Sequence, residues 1–193
     1  MKNYKIDDQT IDDELFEKKI SSKKIFSGKI IELYFDKIKL PNNKIATREK
    51  VTHPGAVGII PVNSQEEVFL VKQYRYPLEN ILIEIPAGKL DKNESPINCA
   101  RRELKEEIGA FGGKLIHVST FYTSPGFCDE ILYLYLALDF DVKENNLDHD
   151  EFLQIIRIKL EDCLKLIKEN KIKDAKTIIG ILLAERYLGN GIK

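Results

Sequence analysis

From residue 56 to residue 158 the chain alternates short apolar runs with polar breaks, at lengths that suit buried strands. Residues 56–62 and 68–74 read as two strands split by the polar turn 63–67, and 81–85 is a third that delivers the chain to Pro86-Ala87-Gly88. Further on, 114–121 and the strongly apolar 131–139 read as strands, 141–150 as an acidic loop and 152–158 as a last strand. Residues 161–169 and 175–188 have helical spacing, with Asp174 placed to cap the second helix. Upstream, 1–22 is polar and weakly patterned and is expected to form a short helix or loose arm. Residues 29–40 then read as a strand, Pro41-Asn42-Asn43 as a turn and 44–51 as the returning strand. Two strands alone are marginal in water, so this hairpin needs a surface to cover it. Strands, a mid-chain helix and terminal helices together predict an α/β layered sandwich with a mixed sheet and an N-terminal β-hairpin extension.

Composition narrows the class. The chain has 193 residues, enough for one domain with a small extension, and its 43% hydrophobic and 32% charged content is that of a soluble globule. A net charge of −1 provides no general field for nucleic acid or an anionic membrane, so neither is expected as a partner. Cys99, Cys128 and Cys163 are odd in number, widely spaced and without CxxC pairing, which argues against a disulfide framework and against zinc. The polar N-terminus lacks a signal-peptide apolar core, and no run approaches a membrane span. A reducing, cytoplasmic compartment is therefore expected.

The acidic chemistry concentrates between Gly88 and Ala110, which reads GKLDKNESPINCARRELKEEIGA. Ser95 followed by Pro96 predicts a helix start, and Gly109 its end. Ile97, Ala100, Leu104 and Ile108 recur at three- and four-residue steps as an apolar stripe. Glu103, Glu106 and Glu107 fall beside it on a second face. Like charges at that spacing cost roughly 0.2–0.5 kcal/mol per pair, so helix stability does not explain them. A cation does, and oxygen ligands without His or Cys suit Mg²⁺ or Mn²⁺. The residues alone leave a second reading, a solvated Glu-rich face with Arg102 and Lys105 as incidental partners.

The full spacing is more specific. Gly88, five residues, Glu94, seven residues and then Arg102-Glu103-Leu104-Lys105-Glu106-Glu107-Ile108-Gly109-Ala110 resembles the Nudix box at every fixed position, with Ala110 a marginal apolar residue at its end. Outside the box, Thr47-Arg48-Glu49, His53-Pro54-Gly55-Ala56, Gln73-Tyr74-Arg75-Tyr76-Pro77, Glu84-Ile85-Pro86-Ala87-Gly88 and Ser124-Pro125-Gly126 resemble the ADP-ribose pyrophosphatase branch of that family. The resemblance covers the chain from about Ile25 to about Leu188. It implies a Nudix-type α/β/α sandwich, with residues 1–52 as the N-terminal arm and hairpin and 53–193 as the catalytic domain. It also implies a homodimer in which the N-terminal strands pack on the second subunit; an edge hairpin packed on its own core is the alternative.

The same resemblance implies roles residue by residue. Glu103 and Glu107 match the metal-ligating carboxylates, with Glu106 sharing that duty and the backbone carbonyl of Ala87 as a further ligand. Glu94 and Arg102 brace the loop–helix–loop, and Gly88 and Gly109 allow its tight turns. Arg75 can grip a phosphate through two hydrogen bonds, or be a surface arginine. Arg48 is a weaker case that would reach across the dimer, and Pro125 with Gly126 shapes the loop at the ribose-phosphate end. Phe26, Phe35 and Tyr76 can stack on adenine or belong to the core. His53 and His117 read as structural. The implied reaction is Mg-dependent hydrolysis of ADP-ribose to AMP and ribose 5-phosphate, with bound ions neutralising the diphosphate and acidifying water while a carboxylate orients it.

One departure concerns that carboxylate. Many relatives carry D-E-D-E before the last strand, whereas this chain has Asp148-His149-Asp150-Glu151. The base is then Glu151 or a neighbouring Asp, a box carboxylate, or His149 itself, whose ordinary pKa of about 6.5 suits the task. Alternative functions are hydrolysis of GDP-mannose or a dinucleotide, nucleotide sensing without turnover, and RNA decapping. Intact box carboxylates argue against the sensor, and the lack of a basic stripe argues against decapping.

Overall fold

A computed structural model describes residues 14–143 and 152–189. Contacts divide the chain into two units, residues 1–53 with 124–129, and residues 54–123 with 130–193. The first is a three-stranded antiparallel sheet of β1 (Lys18–Ser27), β2 (Glu32–Lys39) and β3 (Ile45–Thr52), in that order across the sheet. The predicted hairpin is there as β2 and β3. Its turn is closed by the Asn42 side chain, which accepts the Lys44 N–H at 3.0 Å, and by Asn43 at φ 65°, a conformation asparagine tolerates.

The strand β1 differs from the helix or arm expected of residues 1–22. Register shifts between Lys19 and Ser21 and between Lys24 and Phe26 break its alternation, so Ile20, Ile25 and Phe26 show no period of two in the sequence. The segment 124–129 ties to this sheet through Val51 N–H to Phe127 O at 2.8 Å and His53 N–H to Asp129 Oδ1 at 2.9 Å.

The second unit begins with β4 (Ala56–Pro61), β5 (Glu67–Arg75), β6 (Asn80–Glu84) and β7 (Ala87–Lys89), followed by helix α1 (Pro96–Ile108). It continues with β8 (Ala110–Tyr122), β9 (Ile131–Val142), β10 (Leu153–Lys159), α2 (Leu160–Lys168) and α3 (Ala175–Gly189). One sheet runs β7-β4-β9-β8, mixed because β4 and β9 are parallel, and the other runs β10-β5-β6, antiparallel. Strand β4 is buried along its whole length, and its two faces serve different helices. Val57 and Ile59 share a cluster with Cys99, Ala100, Leu104 and Ile108 of α1. Ile60 shares another with Cys163 of α2 and Ile181 and Ala184 of α3. Helices on both faces of the strands make the α/β/α sandwich expected from the element pattern.

Two strands run longer than expected, and β8 starts at Ala110 rather than at residue 114. Strand β9 continues through Asp141 to Val142, so the expected acidic loop starts later than its charge suggested, and residues 144–151 lie outside the described residues. The short strand β7 has no signature in the sequence, because three residues carry no period. Among the described residues, no helix is long and apolar enough to cross a membrane.

The expected cap of α3 is present: Asp174 Oδ2 accepts the Thr177 N–H at 3.0 Å and its hydroxyl at 2.6 Å. Thr177 is fully buried, and its Oγ1 in turn accepts the Ile85 N–H at 2.9 Å. Thr177→Val keeps the shape but orphans that buried N–H, so chemical denaturation should record a loss of about 1–3 kcal/mol. An unchanged midpoint would mean that this bond contributes nothing to holding α3 against the end of β6.

Candidate active site

Helix α1 starts where expected, but not by the expected contact. Ser95 has an extended conformation and its side chain makes no cap; its carbonyl accepts the Asn98 and Cys99 N–H groups at 3.0 Å, with Pro96 pre-set for the first turn. The helix ends on Gly109 at φ 67°, whose N–H returns to Lys105 O at 3.1 Å. Ala100, Leu104 and Ile108 are buried as the stripe predicts, and so is Cys99. Burial pushes the Cys99 and Cys163 thiols up to about 12, which leaves neither available as a nucleophile.

The acidic residues separate by helical phase. Glu103 and Glu107, four residues apart, are 6% and 3% exposed and face inward. The Glu107 carboxylate accepts the Ala87 N–H at 3.1 Å, which ties α1 to the start of β7. Glu103 presses on the next residue of that strand: a Cβ added to Gly88 would stand 1.7 Å from Glu103 Oε1. Only glycine leaves that space, so the two buried carboxylates lie against the Ala87-Gly88 backbone. Glu106 belongs to the rim, with 29% of its side chain exposed.

Arg102 organises the outer side. Its Nε and Nη2 reach the two oxygens of Glu94 at 3.0 and 2.9 Å, and its Nη1 reaches Glu103 at 2.7 Å and Glu106 at 3.0 Å. It also donates to the Lys89 carbonyl at 3.2 Å. Three carboxylates therefore share one guanidinium, and the patch keeps an excess of negative charge. Among the described residues, no three His, Cys, Asp or Glu side chains form a ready-made cage. The site instead offers hard oxygen donors from Glu103 and Glu107 beside a strand backbone, a donor set that fits a magnesium-like ion sharing its coordination with water and phosphate.

The other expected site residues lie on other elements. Arg75, at the end of β5, spends Nε and Nη2 on the two oxygens of Glu84, both at 2.7 Å. Burial alone would raise the Glu84 carboxyl; hydrogen bonds from Arg75 and the nearby charge of Lys176 outweigh it and hold that group below the ordinary range. Nothing in the sequence singled out Lys176. A lysine near a helix start, 92 positions from its carboxylate, has no local signature. Arg48, in β3, pairs with Glu17 through Nε at 3.0 Å and also through Nη2. Pro125 and Gly126 are exposed in a turn where Ser124 O accepts the Phe127 and Cys128 N–H groups at 3.1 and 2.9 Å. His117 pairs with Thr120 Oγ1 at 2.7 Å and edges onto Tyr135, a structural role. Glu151 and His149 lie outside the described residues.

The brace is open to an acid titration. Arg102, with a smaller contribution from the Asp91 N–H, holds the Glu94 carboxyl down from 4.5 to about 2 against the effect of its partial burial. A carboxyl lowered by folding stabilises the fold above its unfolded pKa, and that contribution is lost as pH falls from about 4.5 towards 2. The thermal midpoints of wild type and Glu94→Gln should therefore differ by a constant amount near neutrality and converge through that window. A gap that persists unchanged at the acid end would exclude the ion pair as its cause.

Comparison with known proteins places this geometry. The NUDIX domain profile matches residues 52–179. The chain is 48% identical over 154 residues to an ADP-ribose pyrophosphatase of Bacillus subtilis (strain 168), covering 79% of this chain and 83% of that protein. It is 46% identical, with the same coverage, to a methanol dehydrogenase activator of Bacillus methanolicus. A crystal structure of an ADP compounds hydrolase superposes with a TM-score of 0.80 at 21% identity, covering 91% of this chain and 96% of that one, a likeness of fold. With the profile spanning most of its length and the box side chains turned onto the Ala87-Gly88 backbone, this chain belongs to the Nudix family.

Proposed function

We propose that this protein hydrolyses the diphosphate bond of ADP-ribose, using water and a divalent cation, to give AMP and ribose 5-phosphate. The observation that carries the reaction is the pair of buried carboxylates, Glu103 and Glu107, held against the Ala87-Gly88 backbone in an acidic patch. The substrate rests on the named relative at 48% identity over most of the chain. Glu103, Glu107, Glu106 and the Ala87 carbonyl would hold Mg²⁺, or Mn²⁺ in its place. A bound divalent ion supplies charge neutralisation for the diphosphate and a more acidic water. The chain's own residues do the rest. Arg75 offers the diphosphate the donors that Glu84 does not use, Pro125 and Gly126 border the ribose-phosphate end, and Glu151 accepts the proton of the attacking water. Arg102 keeps Glu103 oriented without touching substrate.

We also read the enzyme as a homodimer built on the N-terminal sheet, acting in the cytoplasm. In the β1–β2–β3 register, Phe26, Leu33 and Val51 share one face with Phe35 and Ile45. Phe26 and Phe35 are 54% and 44% exposed there beside Leu33 and Val51, while Ile45, 53% exposed, lies further along the same face opposite Lys39; a second copy would cover the phenylalanine end. Sedimentation should give about twice 22.2 kDa for wild type and a single-chain mass for Phe35→Glu with β-sheet content retained. A wild-type monomer at micromolar concentration would rule the dimer out.

Turnover is tested with Mg²⁺ and a panel of ADP-ribose, GDP-mannose, NADH and diadenosine polyphosphates, resolving the products. ADP-ribose should be cleaved with the highest kcat/KM, and chelation of the metal should stop the reaction. Glu103→Gln should lower kcat by about 10²–10⁴-fold while the fold and thermal midpoint survive. Full turnover by that variant would end the metal assignment, and equal slow cleavage of the whole panel would end the choice of substrate.

A further inference from the structure

Glu84 ends β6 with 1% of its side chain exposed, between two cations from distant parts of the chain. Arg75 of β5 grips both of its oxygens at 2.7 Å. Lys176, in the first turn of α3 and only 14% exposed, donates to Glu84 Oε2 and sits 3.0 Å from Asp174 Oδ1. Asp174 is held by Thr177, and Thr177 holds the Ile85 N–H at 2.9 Å. The start of α3 therefore clasps the end of β6 twice, once through Glu84 and once through Ile85. Ala87, two residues beyond Ile85, donates its N–H to Glu107, whose charge reaches Arg75 as well.

The clasp matters for what Arg75 can do. A guanidinium carries five N–H donors in a rigid plane. Glu84 engages the Nε and Nη2 side, which leaves the Nη1 side directed away from the carboxylate and available for a second, planar pair of bonds. Arg75 alone would neutralise Glu84 but hold it from one side only. A second cation on Oε2 fixes the carboxylate plane, and with it the direction of the open edge.

We propose that Lys176 is a positioning residue for the diphosphate: through Glu84 it orients the outer edge of Arg75 towards substrate, without touching substrate itself. The proposal rests on the assignment of a diphosphate to this site. It is tested with Lys176→Met, Lys176→Arg, Arg75→Lys and the double variant, reading ADP affinity by calorimetry with Mg²⁺ present and KM and kcat for ADP-ribose. Lys176→Met should weaken ADP and raise KM by about tenfold with little change in kcat, and Lys176→Arg should recover most of that loss. The double variant should bind ADP no more weakly than Arg75→Lys alone, because both changes remove the same interaction. Wild-type ADP affinity and KM in Lys176→Met, with only a lower thermal midpoint, would overturn the proposal, as would losses that multiply in the double variant. If Lys176→Met does not fold, Lys176→Gln, which keeps a donor but no charge, is judged by the same affinities. A wild type that binds ADP and loses it on Lys176→Met, yet cleaves no ADP-ribose, supports the clasp and defeats the substrate; a wild type that binds no ADP defeats both.

Discussion

Glu103 can stand where it does because residue 88 has no side chain. Its carboxylate occupies the space that any Cβ on the strand would fill, so strand β7 and helix α1 meet through an oxygen rather than through methyl groups. Most helix–sheet contacts in the molecule are apolar, as between Leu104 or Ile108 and Val57 or Ile59. Burying carboxylates in such a seam is costly unless charge or hydrogen bonds compensate. Here Arg102 and the Ala87 N–H make up part of that cost, and both act on the box itself.

The two charge networks of the catalytic unit are built differently. Around Arg102 one guanidinium serves Glu94, Glu103 and Glu106, leaving net negative charge. Around Glu84 one carboxylate serves Arg75 and Lys176, with Asp174 beyond. The first leaves an excess of negative charge for a cation; in the second the charges balance, so an anion would meet only the outer donors of Arg75. Both networks converge on residues 84–88, the short stretch between β6 and β7. Fixing that backbone from α1 on one side and α3 on the other lets a three-residue strand act as a rigid base for chemistry.

The N-terminal sheet follows a different logic. Its strand β1 is exposed along its whole length, and its face carries phenylalanine and isoleucine in the open. That exposed face is what the proposed dimer would cover. The second unit has its buried apolar residues in clusters on the two faces of β4, although Tyr76, Leu78 and Ile81 stay exposed.

Local signals in the sequence were enough for the strands β2 to β6, the helix α1 with its Pro96 start and Gly109 stop, the Asp174 cap and the identity of the box, because period, turn chemistry and spacing all act over a few residues. Helical phase also foretold that Glu103 and Glu107 lie together. It did not reveal that Glu106 turns outward to Arg102, since the partners of a carboxylate depend on what the helix packs against. Strand β1 was hidden by its bulges, and β7 by its length. Arg75 was visible as a candidate, but its Glu84 and Lys176 partners meet it only when β5, β6 and α3 come together across some hundred residues. Which side chains are acidic and which backbone is flexible was written in the chain; which charges neutralise one another was decided by tertiary contact, because Coulombic and hydrogen-bonding energies depend on distance in space and not on separation in sequence.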